Sequence, residues 1–155
     1  VSGRAGGLRI TGYGQYGKPT TGGKRQRFLG IVSYKSKMVT LAGEFGSTKD
    51  STTGNGGSVA AVGDHTGRVI SVYGVLNIPN SRAAIIARVD NTDPNTASGA
   101  TNDRLTRIIG GLAYQVTPNL RLLAAVDNLS RQGGNYNNAF NATRTAGAFI
   151  GQFTF

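Results

Sequence analysis

Cysteine and tryptophan are absent from this chain, histidine and methionine occur once each, and seven acidic residues stand against seventeen lysines and arginines in 155 residues. Each shortage closes something off. Without cysteine there is no disulfide framework and no thiol or zinc-thiolate site, and the sequence carries no mark of its redox compartment. A hydrophobic fraction of 38% beside 24 glycines supplies few large side chains from which to pack a soluble interior. Long apolar runs are missing too: stretches such as Ala83 to Ala87 and Leu122 to Val126 reach about a quarter of the roughly 20 residues a membrane helix needs. No helix of this chain is expected to span a bilayer. The length is that of one domain. A charged-then-apolar leader is not seen, and a start at Val1 rather than Met reads as a processed mature chain or a piece of a longer one.

The surplus of cations, +10 overall, fits nucleic acid, an anionic membrane surface, or a pore lined for anions. Placement has to decide. What the chain does have is period-two alternation, the mark of strands, in eight segments near residues 7–17, 25–35, 38–48, 68–78, 82–91, 104–116, 120–130 and 143–155. Helical periodicity and internal repeats are slight. In the first segment Leu8, Ile10, Gly12, Gly14 and Tyr16 oppose Arg9, Thr11, Tyr13 and Gln15. In the second, Phe28, Gly30, Val32 and Tyr34 oppose Arg27, Ser33 and Lys35, while Leu29 and Ile31 break the pattern by joining the polar side. The third sets Val39, Leu41, Gly43 and Phe45 against Thr40, Ala42, Glu44 and Gly46, and the fourth puts Ile70, Val72, Gly74 and Leu76 on one face. The fifth gathers Arg82, Arg88 and Asp90 on one side; the sixth and seventh oppose Ile108, Leu112, Tyr114, Leu122 and Val126 to Arg107, Gln115, Arg121 and Asp127. In the last, Gly147, Phe149, Gly151, Phe153 and Phe155 share a face, with Arg144, Ile150 and Gln152 on the other.

Segments of roughly 9 to 12 residues are what a tilted strand needs to cross a bilayer. The connections after the second, fourth and sixth segments are two or three residues long, whereas those after the first, third, fifth and seventh run from about seven to about twenty. All short turns then lie at one end, with both chain termini on that side, as in an up-and-down barrel with short inner turns and long outer loops. With the odd segments running outward, Tyr16, Phe28 and Phe45 fall near the loop end of the apolar face and Tyr34, Tyr114, Phe153 and Phe155 near its turn end. Two aromatic girdles at two membrane interfaces give that spacing a physical reason. A general abundance of Phe and Tyr at strand ends does not explain why they share a face.

Motifs for other chemistries are weak. Gly12 to Gly17 matches G-x-G-x-x-G, but the fingerprint needs a helix next to hold a pyrophosphate, and Lys18 and Pro19 open a turn instead. Gly17 to Lys24 fails as a phosphate loop because Gly23 stands where lysine is required. His65 beside Asp64 lies in a Gly, Ser and Thr stretch from Ser47 to Gly67, where adjacent residues rarely face each other productively. Asp90, Asn91, Asp93 and Asn95 offer oxygens in the pattern of no defined calcium loop, and a polar turn at Pro94 accounts for them. No enzyme, cofactor or metal is expected.

A nucleic-acid surface would gather its cations on one exposed patch with aromatics for stacking. Here they face away from the aromatics: Arg9, Arg25, Arg27, Lys35, Arg82, Arg88, Arg107, Arg121 and Arg144, against Glu44, Asp90, Asp103 and Asp127. Arg25, Arg82 and Arg144 sit at strand ends, where they can also reach headgroups or loops. An eight-stranded barrel has room inside only for side chains, and an unpaired buried charge costs several kcal/mol. A wider, water-filled lumen hydrates the surplus and biases it toward anions.

The order of segments, the turn Tyr-Gln-Val-Thr-Pro-Asn at Tyr114 to Asn119 and the Phe-Thr-Phe ending resemble the C-terminal half of bacterial single-chain porins over nearly the whole chain. The resemblance implies a transmembrane antiparallel up-and-down β-barrel in the bacterial outer membrane, with eight strands in this chain as a single barrel domain or barrel fragment. It implies passive diffusion of small hydrophilic solutes, contact with the lipid bilayer and lipopolysaccharide, and recognition of the C-terminal strand by barrel-assembly machinery; it admits a homo-oligomer and needs no nucleic acid. The residues add small anionic solutes and a lining of Arg9, Arg27, Lys35, Arg88, Arg107 and Arg121 with Glu44 and Asp127. The alternative is a self-contained eight-stranded barrel without a pore, whose loops at Ser47 to Gly67 and Arg131 to Ala142 bind a partner.

Overall fold

A computed structural model describes residues 1–18, 24–52, 63–96, 104–131 and 143–154, the side chains of 50–52 and 63–65 excepted. The described residues hold no helix. They form nine strands: β1 Ser2–Ala5, β2 Leu8–Gly17, β3 Lys24–Lys35, β4 Val39–Thr52, β5 Gly63–Asn77, β6 Ala83–Asp93, β7 Leu105–Thr117, β8 Leu120–Arg131 and β9 Thr143–Phe153. Each pairs antiparallel with the next, in sequence order, in one open sheet. Short turns join β1 to β2, β3 to β4, β5 to β6 and β7 to β8, so they all lie at one end, opposite the longer connections.

The count of strands and two boundaries correct the sequence expectation. β1 is the additional strand. Its turn works because Gly6 takes φ +57°, and because a Cβ on Gly7 would lie 2.5 Å from the Lys35 carbonyl oxygen, so only glycine fits. The strand is too short for its alternation to show, and it carries Val1 back up to Gly12, away from the short-turn end where the amino terminus was expected. β4 and β5 also run well into the stretch expected as a loop, with Thr48 paired to Gly67 and Lys49 to Thr66. Threonine favours extended backbone, and neither it nor serine adds apolar alternation, which is why the pattern missed them. At the other end, Asn80 takes φ 56° in the β5–β6 turn, a conformation asparagine tolerates.

The register joins the apolar faces of all eight long strands into one surface. Leu8 pairs with Tyr34, Tyr34 with Leu41, Leu76 with Ile85, Ile85 with Leu112, and Ala124 with Phe149. All the exposed large apolar side chains lie on it except Val1, Tyr13, Met38, Tyr73, Ile78 and Ile150. The buried residues among those described, Ala42, Gly46, Gly67, Ser71, Ala84 and Ala113, all lie on the opposite face. A Cβ added to Gly111 on that face would meet the Ala124 carbonyl oxygen at 2.8 Å and Ala125 Cβ at 2.9 Å, whereas at Gly12, Gly14, Gly43, Gly110 and Gly147 on the apolar face it would meet nothing within 4 Å. Gly74 on the apolar face, where a Cβ would meet Leu41 Cδ2 at 3.1 Å, and Gly17 at the open end of the charged face depart from this division, but with every buried residue on the charged side the balance marks that face as concave. Leu29 and Ile31, out of pattern in the sequence, are half-buried there.

The apolar band does not follow the ladder rows. The row through Gly12 passes Gly30, Phe45, Ile70, Asn91, Thr106 and Ser130 to Thr143. Gly12 is the middle of the apolar stretch Leu8 to Tyr16, but on β9 the middle of Gly147 to Phe153 is Ile150, further along the strand than Thr143. The band therefore slips by about one residue per strand; at ~3.3 Å per residue and ~4.8 Å between strands it lies at roughly 35° to the rows.

Candidate functional site

Every charged residue expected to share a face does so where the structure describes it. Arg9 on β2, Arg27 and Lys35 on β3, Glu44 on β4, Arg88 on β6, Arg107 on β7, and Arg121 and Asp127 on β8 all project from the concave side by register. A polar belt crosses that side where Glu44, Ser71, Asp90 and Arg107 are successive register partners on β4, β5, β6 and β7.

Two acids of the concave face are engaged. Arg88 donates through Nε to both carboxylate oxygens of Asp90, at 2.8 and 3.0 Å, and the Ser71 hydroxyl also donates to Asp90 Oδ1. Arg88 and Asp90 are two apart on β6, so alternation alone puts them on one face. Arg107 forks onto Asp127, Nε to Oδ1 at 2.9 Å and Nη2 to Oδ2 at 2.6 Å, the bidentate geometry that suits a guanidinium. Arg9 donates to the Ser2 hydroxyl at 3.2 Å. Among the described residues Arg27, Lys35, Arg121 and Arg144 have no ion-pair partner. The concave face thus keeps a cationic surplus after its acids are used.

Ser71 and Tyr73 were not singled out from the sequence. With Ile31, Ser33, Ala42, Glu44 and Arg88 they line a recess of about 210 Å³ on the concave face. The signal was present, since both alternate with Ile70, Val72 and Gly74, but the apolar members of the strand drew the assignment.

The aromatics Tyr16, Phe28, Phe45, Tyr34, Tyr114 and Phe153 share the convex face, each 45% exposed or more. Phe155 and Asp103 lie outside the described residues, as does the loop from Gln132 to Ala142. His65 and Asp64 have backbone positions in β5, and their side chains are outside the description. Asp90, Asn91 and Asp93 fall within β6, Asp90 on the concave face and Asn91 and Asp93 on the other; Asn91 donates to Thr106 and Asp93 faces Arg104 at 3.6 Å, so these oxygens do not converge. No group of metal-ligating side chains occurs among the described residues. Arg82 Nη1 reaches the Val116 carbonyl oxygen at 3.1 Å across the turn end. The Gly12 to Gly17 motif is strand, not the entry to a helix.

Comparison with protein-family models, with curated proteins and with solved structures found no match for this chain. The functional reading therefore rests on the two faces of the sheet.

Proposed function

We propose that the nine strands are an arc of a transmembrane antiparallel β-barrel of the bacterial outer membrane, and that the barrel is a porin-type channel for small hydrophilic solutes with a lumen biased toward anions. One observation carries it: a continuous exposed apolar face backs onto a concave face where Arg27, Lys35 and Arg121 lack acidic partners among the described residues. Cations on a concave surface are cheap only in water, and side chains such as Phe149 at 74% exposure are comfortable only in apolar surroundings. The slope of the apolar band supports the same arrangement, because strands in membrane barrels tilt by ~35–45° to the axis and the bilayer then cuts the ladder rows at that angle.

Strand direction bears on the size. β1 and β9 run the same way, from the loop end to the turn end. An all-antiparallel wall containing these nine strands needs an odd number of further strands, so the barrel is wider than the nine. A narrow barrel of β2 to β9 would require β9 to displace β1 from β2. The paired groups Arg88–Asp90–Ser71 and Arg107–Asp127 are what favours that second, non-porous form.

Planar-bilayer recording of the intact protein is the test. Discrete conductance steps with an anion-selective reversal potential in a salt gradient are expected. Absence of steps would overturn the channel, and a cation preference would overturn the role given to the arginines.

A further inference from the structure

Two rows of the concave ladder enclose the recess of about 210 Å³, and its polar lining is lopsided. Ile31, Glu44 and Ser71 follow one another along one row, and Ser33, Ala42, Tyr73 and Arg88 along the next on the same face. Ala42 and Ser71, 7% and 3% exposed, are the short side chains that leave the space between their longer neighbours. The hydrogen-bonding groups around that space are mostly acceptors. Glu44 is a carboxylate that can only accept, and among the described residues it has no ion-pair partner. The Ser71 hydroxyl has one hydrogen and donates it to Asp90, so it keeps only lone pairs for a guest. Arg88 donates through Nε to the same carboxylate, and the charges of that pair offset each other. Glu44 is therefore the charge of the recess left unmatched. Tyr73, 37% exposed, adds an aromatic ring, and Ile31 and Ala42 add apolar surface.

From this lining we infer that the recess seats the ammonium group of a small amino acid, a solute that carries a carboxylate as well. An ammonium has three N–H donors and no acceptor, the complement of Glu44, Ser71 and a hydroxyl of Ser33 or Tyr73, and a cation is attracted to an aromatic face. An anion would meet the Glu44 charge instead. A calcium ion takes about six to eight oxygen ligands, and no group of metal-ligating side chains occurs among the described residues. The carboxylate half of the guest follows from the surroundings, a step that rests on the reading of the concave face as a water-filled lumen. With Arg27, Lys35 and Arg121 lacking acidic partners there, a solute of net positive charge is repelled, whereas one that carries both charges is not and can turn its carboxylate to the surplus. The space equals about seven waters at ~30 Å³ each, enough for an ammonium on a short aliphatic chain.

Saturation-transfer NMR on the intact protein refolded in detergent micelles tests it, with γ-aminobutyrate as the probe. Saturable transfer is expected, strongest at the methylene beside the nitrogen. Butyrate lacks the ammonium, and the N,N,N-trimethyl analogue keeps the charge but has no N–H donor. Each is expected to bind at least about tenfold more weakly, the weight of one charged hydrogen bond, and Glu44→Gln to weaken γ-aminobutyrate by a similar factor. Butylammonium, without the carboxylate, should fall between γ-aminobutyrate and butyrate. No saturable transfer, equal binding of γ-aminobutyrate and either butyrate or the trimethyl analogue, or indifference to Glu44→Gln overturns the ammonium seat; butylammonium bound as tightly as γ-aminobutyrate overturns the amino-acid class. The comparison among probes uses the unaltered chain, so it decides even where Glu44→Gln does not fold. Binding without conductance steps in the bilayer overturns the channel alone, and steps without binding overturn the recess alone.

Discussion

Arg107 and Asp127 are joined diagonally across the β7–β8 ladder by two hydrogen bonds, so one arginine of the concave face is neutralised by its neighbour while Arg121, on the same strand as Asp127, has no ion-pair partner among the described residues. Removing the acid should release the cation to the solute path. Asp127→Asn is expected to raise the anion-to-cation permeability ratio by roughly fourfold, because one added charge at ~10 Å in water favours an anion and disfavours a cation by about twofold each, read from the reversal potential in a salt gradient. A shift toward cations would show that this face does not line the path. The converse change, Arg121→Gln, should lower the ratio by a similar factor.

Adjacent glycines on β7 should answer substitution in opposite ways. Gly111 looks onto Ala124 and Ala125 on the concave side, while an added Cβ at Gly110 has nothing within 4 Å. Gly111→Leu is therefore expected to cost about 1–3 kcal/mol through overpacking, and Gly110→Leu to be close to neutral, in urea unfolding of the refolded protein. Equal costs at the two positions would contradict the curvature assigned to the sheet.

A charge on the convex face separates lipid from water as its surroundings. Leu112 is 61% exposed and lies mid-band on β7. In water Leu112→Arg would be nearly neutral; facing lipid near the bilayer midplane it should cost about 2–4 kcal/mol. Folding equilibria in phospholipid vesicles measure the difference, and a neutral result would remove the membrane from the proposal.

Strand β1 decides between a wide wall and a narrow barrel of β2 to β9. Thr11 donates to the Ser2 hydroxyl at 3.3 Å across the β1–β2 ladder, and the chain has no cysteine of its own. The double variant Ser2→Cys with Thr11→Cys should oxidise readily to an internal disulfide, because facing side chains in neighbouring strands are within reach of that bond. The readout is mobility on a non-reducing gel after folding in vesicles. Failure to cross-link there would indicate that β9 takes the place of β1.

Much of this architecture was legible in the residues. Alternation alone separated Leu8, Ile10 and Tyr16 from Arg9, and Phe149 and Phe153 from Arg144, because a strand sends neighbours to opposite faces whatever it pairs with. Connection lengths put the short turns at one end for an equally local reason. The stretches that failed were those where pattern is weak: β1, made by a Gly6–Gly7 turn, and the outer halves of β4 and β5, whose threonines, serines and glycines carry little contrast between faces.

The sequence by itself determined which side chains share a face, since that depends only on the period of extended backbone. Only the tertiary structure decided how those faces join: that Leu29 and Ile31 sit over a concave side, that Ser71 and Arg88 meet on Asp90, that the apolar band slips about one residue per strand, and that β1 and β9 are left parallel at the two edges. Those relations depend on register, and register is set by pairing between segments tens of residues apart, which no local period encodes.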